Sequence, residues 1–239
     1  MSQQGSALRK LRNAWDNARG FFEELGGEID PPQATSIFVH DNAGPATPGA
    51  TTFNIKPITF VVPERANSPY DQIFIVAQGR IGICTIDANA LNTKDFSTEV
   101  AYFRRQDDGD RNSLKLDHVY GAHFDYAPGQ PGHPLFHAQM NDMDELKKVV
   151  EAKYRVPTDN GSNFMSSILR NTRLPTAQMD MFAFMLQVAA DHLICEVSTP
   201  AQMKTLKDLA DEVSAVKGTQ DLIQAITNNQ CTRSVHWYA

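Results

Sequence analysis

Between residues 55 and 141 the chain passes through six short stretches of β-branched and aromatic residues, and no gap between them is long enough for a crossover helix. A parallel connection needs about a dozen residues or more, so these stretches predict antiparallel pairing. The predicted strands are Ile55–Val62, Gln72–Gln78, Arg80–Asp87, Phe96–Arg104, Leu114–Tyr126 and Pro134–Met140. Gln78-Gly79 and Asp107-Asp108-Gly109-Asp110 supply turn signals between them.

Helical patterns flank the strands. Leu8, Leu11, Trp15, Ala18, Phe22 and Leu25 recur at steps of three and four, one apolar stripe on a helix over residues 6–25. Ser6 is placed to cap its start, and Gly26-Gly27 to end it. The stripe suits packing across a sheet; the alternative is a seam between two copies, for which fewer than three heptads are available. Residues 29–54 are loop-rich, with Pro31-Pro32, Gly44-Pro45 and Pro48-Gly49, around a short strand at Ile37-Phe38-Val39. Residues 172–228 read as helical. Pro175 opens a buried helix reaching Cys195, and Ser198-Thr199-Pro200 caps a second with Met203, Leu206, Leu209, Val213 and Val216 facing inward. A short third helix runs through Leu222, Ile223 and Ile226.

Helix, strands, then helices is the order of an α+β fold. The expectation is a twisted antiparallel sheet of about six strands, with an N-terminal helix and a C-terminal group of two to three helices over one face. A chain of 239 residues, 41% hydrophobic, buries enough surface to form this as a single domain over residues 1–239 without a metal or disulfide staple. Cys84, Cys195 and Cys231 fit that view, being odd in number and far apart. The start, MSQQGSALRKLRNAW, has no apolar signal core, and the most apolar stretch, Met179 to Cys195, is too short and polar to span a bilayer. A cytoplasmic protein with no membrane partner is expected. The net charge of −6 argues against a general nucleic-acid coat.

Chemistry concentrates in one segment, Leu114 to Asn141, which reads as a hairpin turning at Pro128, Gly129, Pro131 and Gly132. Side chains alternate faces along a strand, so parity sorts them. The even set, Leu114, Leu116, Tyr120, Phe124, Tyr126, Phe136, Ala138 and Met140, is apolar apart from His118 and should pack under the helices. The odd set gathers Lys115, Asp117, His123, Asp125, His133, His137 and Gln139 on the other face. A hairpin symmetric about Gln130 would set His123 opposite His137.

Two chemistries suit that inventory. In one, a neutral and a protonated histidine act as base and acid, with Asp125 or Asp117 orienting a ring; such a pair cleaves RNA without metal. In the other, His123, Asp125 and His137 hold Zn or Fe with a position open for water or substrate. A third reading is a solvated polar face on which the histidines are incidental. Asp125-Tyr126, the Pro/Gly turn and His133-Pro134-Leu135-Phe136-His137-Ala138-Gln139 resemble a motif of uncharacterised bacterial proteins, some encoded beside toxin–antitoxin or phage-defence genes. The resemblance implies a bacterial, nuclease-like protein and assigns no residue roles.

Other signals are weaker. Asp108-x-Asp110-x-Asn112 has Val119 where a calcium loop needs a bidentate Glu, and no P-loop, GxGxxG or GxSxG occurs. The leading expectation is therefore a hydrolytic, RNA-cleaving enzyme using His123, Asp125, His133, His137 and Gln139. The alternatives are a metal-binding enzyme on the same histidines, and a non-catalytic module forming a homodimer or binding a protein partner through its N-terminal helix.

Overall fold

In the computed structural model the described residues are 3–41, 49–63, 72–85, 91–106, 115–126, 137–140, 143–160, 173–175 and 178–217. In chain order they form α1 (Gln3–Glu24), β1 (Glu28–Asp30), α2 (Ala34–Ile37), β2 (Phe38–His40), β3 (Thr51–Pro63), β4 (Gln72–Thr85), β5 (Leu91–Gln106) and β6 (Lys115–Tyr126). There follow β7 (His137–Met140), α3 (Asp144–Tyr154), β8 (Thr158–Asn160), β9 (Arg173–Pro175), α4 (Met181–His192) and α5 (Pro200–Lys217). The strands make one sheet in the order β1-β3-β4-β5-β6-β7-β9, with β2 also on β3 and β8 on β6. The α+β architecture with a large antiparallel sheet is as expected. The β6–β8 pair, however, is parallel.

The long strands carry the first correction. Gln78-Gly79 is no turn: β4 runs unbroken through it, with Gln78 opposite Glu99 and Gly79 opposite Thr98. A Cβ on Gly79 would sit 1.9 Å from the Ser97 carbonyl oxygen. Glycine is there for a close approach of backbones inside a strand, a role that looks like a turn signal in sequence.

Helices cover both faces rather than one. On the first face, the α1 stripe lies over the sheet, with Leu11, Trp15, Ala18 and Phe22 all at 0% exposure. The Trp15 ring meets Phe38 and Phe182 edge-on at 5.7 and 5.6 Å, and Phe22 meets Phe60 at 5.5 Å. The stripe is thus packed within its own chain, across the sheet. On the second face, α3, absent from the predicted elements, sets Leu146 and Val150 against Phe74, Val76, Ala101, Phe103 and Leu116.

Helix ends follow local rules, with shifts. Helix α1 starts at Gln3, so Ser6 lies inside it. It ends in a Schellman motif: Gly26 has φ +98°, its N–H bonds the Glu23 carbonyl, and the Gly27 N–H bonds the Phe22 carbonyl. Pro175 closes β9 and does not open a helix. The helix that follows, α4, begins at Met181, capped by Asp180, whose carboxylate accepts from the Phe182 and Ala183 N–H groups. Helix α5 carries a reciprocal capping box between Thr199 and Gln202, with Pro200 in its first position. Leu209, Val213 and Val216 are buried, whereas Met203 is 47% exposed rather than inward-facing. The expected third helix at Leu222 to Ile226, the Asp107–Asp110 turn and the Pro/Gly turn after Tyr126 lie outside the described residues.

A bulge in β6 decides what the site face contains. Tyr102 pairs with Tyr120 but Phe103 pairs with His118, so Val119 is the extra residue and parity inverts there. Beyond the bulge the expected set holds: Tyr120, Phe124, Tyr126, Ala138 and Met140 pack in the core under α1 and α4. Before it, Leu116 joins the α3 side and His118 is buried with its ring 5.3 Å from Phe103. Asp117 and Lys115 are correspondingly taken off the face that holds His123 and Asp125. Phe136 lies outside the described residues.

Candidate functional site

Strand pairing assembles the site from residues far apart in sequence. Asp125 is opposite His137 and His123 is opposite Gln139, a register two residues from the symmetric one, so the two histidines do not face each other directly. They meet instead through the carboxylate between them. His123 Nε2 lies 3.2 Å from Asp125 Oδ2, and His137 Nδ1 lies 3.0 Å from Asp125 Oδ1. His123 and Asp125 share a face because they are two residues apart on one strand, and His137 reaches across from β7.

The three groups differ in their access to water. The His123 side chain is 32% exposed, Asp125 23%, and His137 only 2%. His123 is therefore the imidazole that can meet a solute, and His137 is an anchor behind it. Burial pushes the Asp125 carboxyl up, but the hydrogen bond to His123, the close approach of His137 and the charge of both rings outweigh it and hold the group well below the usual carboxylate range. Asp125 is a carboxylate throughout the neutral range. His133 lies outside the described residues, and Gln139 is half-buried beside His123.

Continuing the register across the sheet adds residues that the hairpin alone could not reveal. Gln78, Glu99, His123 and Gln139 form one cross-strand row over β4, β5, β6 and β7. Arg80, Ser97, Asp125 and His137 form the next. Gln78 Nε2 donates to Glu99 Oε2 at 2.7 Å, and Arg80 Nη2 lies 3.8 Å from Oδ1 of the buried Asp95. A faint sequence signal existed, since Gln78-x-Arg80 and Ser97-x-Glu99 are polar at strand spacing. The turn reading of Gln78-Gly79 hid the first, and nothing local joins it to the second.

As a metal site the arrangement is poor in shape. Both histidine nitrogens are turned to the carboxylate rather than to a common point, and among the described residues no group of three or more His, Cys, Asp or Glu side chains is arranged to hold a metal ion. A pocket lined by Leu25, Gly26, Pro63, His192, Cys195 and Gln202 lies at the ends of α1 and α4, away from these rows. Among the described residues no helix is long and apolar enough to cross a membrane. Compared with protein-family models, curated proteins and solved structures, the chain finds no match.

Proposed function

We propose that this chain is a hydrolytic enzyme whose acid–base group is His123, oriented by Asp125. The observation that supports it is a single carboxylate held between two imidazoles, one exposed and one buried. A fixed carboxylate on one ring nitrogen sets the tautomer of an imidazole and stabilises the imidazolium formed when it takes a proton. His137 works through Asp125, holding it in place from the buried side. RNA is the substrate the sequence motif suggests, and the alternative is that the histidine clasp only ties the short strand β7 to the sheet.

The test is turnover of RNA and of simple esters by the wild-type protein, His123→Ala and Asp125→Asn, with and without a chelator. The reading expects a loss of about 10²-fold or more in His123→Ala with an unchanged melting temperature and no response to chelation. Silencing by chelator would favour Zn or Fe held by His123, Asp125 and His137. A wild-type protein inert towards every substrate would leave the clasp as a structural tie.

A further inference from the structure

We propose that Glu99, held by Gln78, is a second catalytic group of this site, acting beside His123 on an uncharged substrate cleaved at a carbon–oxygen bond. This rests on the hydrolytic reading above, adds the base to it, and sets an uncharged substrate in place of the RNA that the sequence motif suggests.

Glu99 and His123 are direct cross-strand partners, and such partners have Cβ atoms about 4.5–5.5 Å apart with side chains rising from the same face. No local sequence pattern links them; only the β5–β6 register does. The Gln78 amide fixes one oxygen of Glu99 at 2.7 Å, so the carboxylate is oriented before any substrate arrives. Asp125 is already engaged by His123 and lies against His137, and among the described residues Glu99 is the carboxylate directly across the strand from His123.

The pair supplies both halves of a hydrolysis. Glu99 takes a proton from water as the water oxygen bonds to the substrate carbon. The His123 imidazolium gives its proton to the leaving oxygen as the carbon–oxygen bond breaks. Return of the proton from Glu99 to His123 restores both groups, and the net change is one water added across the bond. Charge selects the substrate. Among the described residues these rows and the adjoining Asp95 carry three carboxylates, Asp95, Glu99 and Asp125, against the guanidinium of Arg80, which itself faces Asp95, and the His123 imidazolium. Such a face disfavours a polyanion and leaves uncharged esters or glycosides.

The experiment compares the full chain with Glu99→Gln and Gln78→Ala on an alkyl ester, an alkyl glycoside and a dinucleotide phosphodiester, across pH, with melting curves for each variant. The expected result is turnover of the ester or the glycoside with a bell-shaped pH profile. Glu99→Gln should then lose about 10²-fold or more in kcat, together with the acid limb of the profile, and keep its melting temperature. Gln78→Ala should lower kcat with KM unchanged, and formate should restore part of the activity of Glu99→Ala. An active wild-type protein whose profile and kcat survive Glu99→Gln would overturn the role of Glu99 alone. Preference for the phosphodiester would overturn the substrate class. Inertness on all three would end the hydrolytic reading itself.

Discussion

Two histidines on one carboxylate have unequal parts, and burial assigns them. His137 is buried at 2%, so its removal leaves the Asp125 carboxylate facing a void on its inner side. Leaving a polar group of this kind without its partner costs about 1–3 kcal/mol, and His137→Ala should lower the denaturant midpoint accordingly. His123→Ala, a change at a 32% exposed position, should cost no more than about 1 kcal/mol. Equal losses in the two variants would contradict the anchor-and-working-group division. His137 is thus the structural histidine of the pair. Acid should probe the same clasp. The folded-state carboxyl of Asp125 lies below its ordinary value of 3.8, so the stability it contributes is complete above that value. That stability is lost as pH falls below about 4 towards the folded value. Asp125→Asn should flatten this part of the stability curve, measured by urea midpoints between about pH 5 and pH 2.

At the scale of elements, β4 and β5 are the frame on which everything else is registered. They pass close together at Gly79, where an added Cβ meets the Ser97 carbonyl at 1.9 Å, and a carbonyl in a ladder cannot swing away as a side-chain tip can. Gly79→Ala should therefore cost about 1–3 kcal/mol or more, read from thermal melts. It should also disturb the row of Gln78 and Glu99 beside it. A melt unchanged from the wild type would show that the two strands have slack at this point. The Val119 bulge is the second decisive element. By inverting parity inside one strand, it lets β6 place Leu116 against α3 and, six residues on, Ala122 against the opposite core.

For the whole molecule, the sheet is a wall between two unequal cores. The larger joins α1, α4 and α5 to the first face, and Trp15 stands at its centre between Phe38 and Phe182. Trp15→Ala should cost about 3–5 kcal/mol, enough to unfold a chain of ordinary stability, and the far-UV signal at moderate denaturant would report it. The smaller core under α3 covers only part of the second face. The remainder carries the polar rows, which is why charged and amide side chains can stand on strands buried on their other side.

Much of this was written in local sequence, and the reason is that local rules act over three or four residues. The α1 stripe with its Gly26 ending, the Thr199-x-x-Gln202 box before α5, and the placing of His123, Asp125, His137 and Gln139 on one face all follow from periodicity and capping. So did the α+β order, because short connections admit only antiparallel neighbours. Other features depended on tertiary structure. The bulge at Val119 is set by how β6 fits β5, and a glycine between two passing backbones is indistinguishable in sequence from one in a turn. Above all, the cross-strand row of Gln78, Glu99, His123 and Gln139 exists only through register. Register is fixed by the packing of both sheet faces at once, and no single strand holds that information.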